Sequence, residues 1–143
     1  MKNKNKFVSV LLVIFVICTI GGIIWYKFAS RPVHIPDIPN SYNLSSISYE
    51  LSNGIVTVSD TDKMDKILEG LYTLNLETQS VSVQDYPVDV ENLVAIRFYY
   101  KEDSVGTLYL YSKGERYYLE EPYNGLYKLS KYEYDYIVGL IEE

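Results

Sequence analysis

Two adjacent carboxylates, Glu120 and Glu121, sit among aromatic side chains in the run Tyr117-Tyr118-Leu119-Glu120-Glu121-Pro122-Tyr123. Paired acids beside rings are what a glycosidase uses, with the two carboxyl groups about 5 to 10 Å apart across one cleft. Neighbours on a strand project to opposite faces, so this pair does not suit a single cleft. The expectation is that one glutamate is solvated while Glu120 ties down the following turn by hydrogen bonds. A carboxylate-dependent hydrolase acting on cell-wall glycan, with two converging acids among Glu102, Asp103, Glu115, Glu120 and Glu121, stands as the alternative reading. Asp60, Asp62 and Asp65 suggest calcium, but the glycine and distal glutamate of a binding loop are missing, and acids in a helix's first turn are expected from its dipole. The only histidine is His34 and the only cysteine is Cys18, so the chain beyond residue 34 has no nucleophilic triad, disulfide or thiolate metal site. No glycine-rich phosphate loop occurs. The residue types therefore point to a non-enzyme with no catalytic residue, metal or cofactor.

Tyrosine is the second chemical feature. Of 16 tyrosines, 11 fall between Tyr99 and Tyr136. Tyr109 and Tyr111 alternate with Leu108 and Leu110, so the leucines are the natural core residues and the tyrosines face the other way. With Tyr99 and with Tyr117 or its neighbour across from them they are expected to form an exposed aromatic ladder rimmed by Arg97, Lys113 and Arg116, and Tyr99, Tyr109, Tyr111, Tyr117, Tyr123 and Tyr127 are the six rings singled out. Such rings stabilise a sheet through cross-strand pairs, and they also bind glycan rings or peptides, since tyrosine offers apolar area, a hydroxyl and little entropy loss. These six tyrosines are the binding candidates.

Charge and hydropathy set the location. Residues Phe7 to Tyr26 run twenty positions without a charge behind Lys2, Lys4 and Lys6. At about 1.5 Å per residue such a helix spans about 30 Å, a bilayer's hydrocarbon core. The run is longer than a cleaved signal's apolar region and exits through Trp25, Tyr26 and Lys27, which favours retention. The cations before it place the N-terminus in the cytoplasm and the rest outside the cell membrane. All 19 acids lie at Asp37 or later with eight of the 13 bases, giving 8 − 19 = −11 for that part. This argues against nucleic acid, whose phosphates need a basic face. The sequence thus divides into a cytoplasmic tail 1–6, a transmembrane helix 7–26, a stalk 27–42 containing Pro32, Pro36 and Pro39, and an extracytoplasmic domain 43–143.

The elements that must position these groups are legible from period and punctuation. Ile47, Tyr49 and Leu51 alternate, Asn53-Gly54 offers a tight turn with positive φ, and Ile55 to Val58 return as a second strand. Asp60 caps a helix over Thr61 to Tyr72, with Met64, Ile67, Leu68, Leu71 and Tyr72 on one face. Leu74 to Val83 reads as an irregular strand and Tyr86-Pro87 as a loop. Strands follow at Leu93 to Tyr100, Thr107 to Tyr111, Arg116 to Glu120 and Leu126 to Leu129. A capping box of Ser130 and Glu133 then starts a helix presenting Tyr134, Ile137, Val138 and Ile141. The predicted fold class is α+β: an N-terminal transmembrane helix, then a mostly antiparallel sheet with two helices on one face.

The stretch from Tyr117 to Tyr127, with Glu120, Pro122, Tyr123, Asn124, Gly125 and Tyr127, resembles the C-terminal signature of a small uncharacterised domain family of Gram-positive membrane-anchored proteins and lipoproteins. Pro122 fixes one φ and Asn124-Gly125 allow positive ones, so Glu120, Pro122, Asn124 and Gly125 are read as structural turn residues. The resemblance implies the architecture and the location and carries no activity. The functional expectation is a single-pass anchored protein displaying a non-catalytic domain that binds a wall glycan, a peptide or a membrane protein.

Overall fold

The computed structural model describes residues 17–21 and 36–142. The chain divides into two compact units, Met1–Val33 and His34–Glu143. In the first, residues 17–21 are helical and exposed; the rest of the expected span 7–26 lies outside the described residues. Among the described residues no helix is long and apolar enough to cross a membrane.

The second unit is α+β and rests on seven strands. β1 (Leu44–Leu51), β2 (Gly54–Val58), β3 (Glu77–Ser80), β4 (Glu91–Tyr100), β5 (Val105–Lys113), β6 (Arg116–Glu121) and β7 (Gly125–Leu129) form one sheet in the order β2-β1-β4-β5-β6-β7-β3. Every neighbouring pair is antiparallel. Helix α1 (Thr61–Tyr72) separates β2 from β3, and α2 (Lys131–Glu142) closes the chain.

Residues of one periodicity line one face. Ile47 and Tyr49, Ile96 and Phe98, Leu108 and Leu110, Leu119, Tyr127 and Leu129 meet Met64, Ile67, Leu68 and Leu71 of α1 and Tyr134, Ile137 and Ile141 of α2. Each buried aliphatic chain of this kind contributes roughly 1.5 to 3 kcal/mol relative to exposure. The helices start where capping chemistry says they should: Asp60 accepts from the Lys63 N–H at 3.0 Å, and Glu133 accepts from both the N–H and the hydroxyl of Ser130 at 2.7 and 2.6 Å. Burial pulls the Glu133 carboxyl upward, but hydrogen bonds from the Ser130 hydroxyl, the Ser130 N–H and the Asn75 N–H outweigh it and hold it below its ordinary value.

Several expectations need correction. The hairpin loop is Ser52-Asn53, closed by Leu51 opposite Gly54, so Gly54 opens β2 with φ 146° rather than sitting in the loop. In the signature turn the positive φ belongs to Tyr123 at 59°, the third residue of a reversal closed by Asn124 N–H donating to Glu121 O at 3.1 Å. Gly125 serves a different purpose: a Cβ there would collide with the ring and hydroxyl of Tyr127, so the glycine clears space for a buried tyrosine on its own strand. Tyr72, expected on the buried face of α1, is 58% exposed and donates its hydroxyl to Ile38 O at 2.6 Å. That contact belongs to a segment read as stalk. Pro36, Ile38 and Pro39 are buried, Ile38 joins the helix-side core, and Asp37 N–H donates to Glu121 at 3.2 Å.

Candidate functional site

The sheet's second face does not present an open aromatic ladder. The segment 81–90, between β3 and β4, runs over it as a strap. The strap alternates with inverted polarity: Ser82 and Gln84 turn toward the sheet, while Val81, Val83 and Val88 are 70%, 84% and 62% exposed. Pro87 is fully buried and Val90 packs on Ala95, Tyr109 and Tyr111.

Glu120 explains the inversion. On β6 it alternates with Leu119, which fills the helix-side core, so its carboxylate must point to the second face, where it is 2% exposed. A buried carboxylate is tolerated only when its oxygens are satisfied. Oε1 accepts from the Ser82 hydroxyl at 2.5 Å and from Gln84 Nε2 at 3.1 Å; Oε2 accepts from the Tyr111 hydroxyl at 2.7 Å and from Gln84 Nε2 at 3.2 Å. Every partner is a neutral donor, and among the described residues Glu120 joins no ion pair. Burial first, and then the hydrogen bond to Glu120, push the Tyr111 hydroxyl well above the ordinary tyrosine range.

Rings seal the clamp. Tyr111 stacks at a tilt on Tyr118 with centroids 5.6 Å apart, and Tyr86 of the strap meets Tyr109 edge-on at 5.3 Å. Edge and offset contacts of this sort add about 0.5 to 1.5 kcal/mol each beyond the area they bury. Tyr123, exposed at the β6–β7 turn, is held above its usual value first by hydrogen bonding with Asp85 of the strap. Beside the clamp, Arg97 pairs with Glu50 at 2.5 Å on β1.

The six candidate tyrosines thus fall in different places. Tyr109 and Tyr111 lie under the strap at 7% and 4% exposure, and Tyr123 stands at its rim. Tyr99 is on the same face beyond the strap, opposite Ser46 and Val105. Tyr117 is on the helix side, stacked on Tyr134 at 4.8 Å, and Tyr127 is fully buried in the helix-side core, its hydroxyl pushed up to about 12 by burial and then by Glu121. The structure joins Tyr109, Tyr111 and Tyr123 to one site and separates Tyr117 and Tyr127 from it. Glu120 anchors the strap rather than the turn; the turn's glutamate is Glu121. Of the other acids, Glu102 and Asp103 lie in the β4–β5 turn and Glu115 in the β5–β6 turn at the opposite end of the sheet. Access to Glu120 requires the strap to lift.

Ser82, Gln84 and Tyr86 escaped the sequence reading, and of the alternatives Tyr117 or its neighbour it is the neighbour, Tyr118, that lies across from Tyr111. Alternation at Val81-Ser82-Val83 was the available signal, but period two does not say which set faces the protein.

Among family models, DUF5301, described as "Domain of unknown function (DUF5300)", matches residues 29–128, which hold the strap, Glu120 and the signature turn. No curated protein and no solved structure matches the chain.

Proposed function

The chain belongs to this family of domains of unknown function, and from that premise we propose that it is a single-pass membrane-anchored protein displaying a small non-catalytic interaction domain outside the membrane. Residues Phe7 to Tyr26 supply the anchor, Lys2, Lys4 and Lys6 keep the N-terminus cytoplasmic, and the matched region begins after the apolar run, at residue 29. The Gram-positive, membrane-anchored setting implied by the signature belongs to the same reading.

One observation carries the interaction role: the strap spends its polar side chains inward on Glu120 and displays Val81, Val83 and Val88 to solvent beside Tyr86 and Tyr123. A contiguous exposed apolar patch marks a contact surface, and we take the strap's valines as one. Branched aliphatic side chains suit a polypeptide better than a glycan, which favours flat rings such as those now buried at Tyr109 and Tyr111. Asp85 and Asp89 on the strap, in a domain of strongly acidic balance, favour a partner with cationic groups around an apolar centre.

A photo-reactive residue at Val83 of the full chain, in cells, tests this. The expected result is a discrete adduct with a membrane or wall protein that Val81→Asp abolishes and Val105→Asp, away from the strap, leaves intact. Attachment to glycan alone, or no adduct, overturns the polypeptide reading. Labelling of Tyr123→Cys by a membrane-impermeant thiol reagent in intact cells checks the topology; protection until lysis overturns it.

A further inference from the structure

The sheet's two edges are built differently. At one, β3 is four residues of Glu77, Thr78, Gln79 and Ser80 with a register shift against β7. A short, charged, irregular strand resists the addition of another. At the other, β2 is Gly54-Ile55-Val56-Thr57-Val58, without charge or proline, in unbroken register with β1, and with Ile55 65% and Val56 46% exposed. It carries none of the charge, proline or bulge that protects an edge.

Its open hydrogen bonds are defined by the hairpin. Leu51 opposite Gly54 closes a two-residue loop, and a closing pair of this kind exchanges both backbone hydrogen bonds. Alternation makes Tyr49 opposite Val56 and Ile47 opposite Val58 hydrogen-bonded as well, so the N–H and C=O of Ile55 and Thr57 point outward.

We propose that β2 docks a second copy of this chain, antiparallel, about a two-fold axis at Val56. Ile55 and Thr57 then each exchange two hydrogen bonds with the partner's Thr57 and Ile55, while Val56 faces the partner's Val56 in the close, non-hydrogen-bonded position. No charge lies within the paired segment. Charge beside the strand selects a copy over an unrelated strand. A groove of about 680 Å³ follows β2; Asp60, Lys63 and Lys66 line it after the Val58 end of the strand, two cations against one acid, and Glu142 lines it near the hairpin end, where Glu142 also shares a cavity with Leu51 and Ser52. Antiparallel pairing lays each end on the partner's opposite end, which brings Lys63 and Lys66 toward the partner's Glu142, twice. A two-fold contact must be self-complementary in this way.

Oxidative cross-linking of the full chain in detergent, with Cys18→Ser throughout, reads the register. Opposed Cα atoms in a non-hydrogen-bonded pair are about 4.5 Å apart, within disulfide reach. Val56→Cys is expected to form a covalent dimer. Ile55→Cys and Thr57→Cys should fail alone and cross-link when mixed. By light scattering, the parent is expected at twice the chain mass, and Val56→Lys and, separately, Thr57→Pro at the monomer mass with an unchanged circular dichroism spectrum; proline at Thr57 removes only an outward N–H. A monomeric parent overturns the proposal. So do equal cross-linking at all three positions, a dimer surviving both substitutions, which places the contact elsewhere, and a monomer whose β2 amides gain protection only with an added foreign strand.

Discussion

The two faces of the sheet are covered by different chemistry. Under the helices, branched and aromatic side chains from five strands and two helices form one continuous apolar core. Under the strap, a smaller cluster of Ala95, Tyr109 and Tyr111 surrounds a carboxylate held by Ser82, Gln84 and Tyr111. The first is non-directional and tolerant of shape-conserving change. The second is directional: its donors must meet two oxygens, and losing one leaves a buried polar group unpaired. The helix face therefore fixes whether the domain folds, and the strap face fixes where one ten-residue segment lies and which side chains it shows to solvent.

The largest test of that division is on the helix side. Leu110→Ala should destabilise the whole domain by about 2 to 5 kcal/mol in urea unfolding, the range for truncating a buried leucine. A loss confined to local exchange would show that the helix-side core is not the cooperative unit.

Next comes Glu120→Gln. An amide keeps one acceptor oxygen and turns its NH2 against Gln84 Nε2, which donates to both oxygens of the carboxylate, and the expected loss is about 1 to 3 kcal/mol. A neutral outcome would mean that the strap is held by its rings alone.

Tyr49→Phe should go the other way. Tyr49 is fully buried on the helix side, burial drives its hydroxyl far above the ordinary range, and among the described residues that hydroxyl has no hydrogen-bond partner. Removing it should raise stability by about 1 kcal/mol. A loss of similar size would place a polar requirement inside the apolar core and weaken the contrast.

The smallest effect is expected at Glu133→Gln, below about 1 kcal/mol at neutral pH. Its folded value is depressed below 4.5, so its contribution is complete above that pH and is lost as pH falls through the folded value. The substitution should flatten the acid limb of the stability curve of the parent; an unchanged limb would remove the cap from the account.

The same contrast explains what was legible from sequence. Thr61–Tyr72 is helical over the expected residues because cap and apolar period agree there, and the strands of the helix side follow from leucine and isoleucine at period two. Tyr109 and Tyr111 were placed on the correct face, but their cover was invisible: segment 81–90 has no period of its own beyond Val83, and its hold depends on Glu120, 38 residues from Ser82. Sequence separation of that size leaves no local signal. Tyr127 carried none either, because its burial depends on the missing side chain of Gly125. The β2 hairpin was misplaced by one residue since Asn53-Gly54 and Ser52-Asn53 both satisfy turn chemistry.

Native-state amide exchange of parent and Glu120→Gln tests the central claim most directly. The account predicts that amides of 82–90 exchange much faster in the variant while those of β5, β6, α1 and α2 keep their protection relative to global stability. Uniform acceleration of strap and helices together, or an unchanged strap, would contradict it.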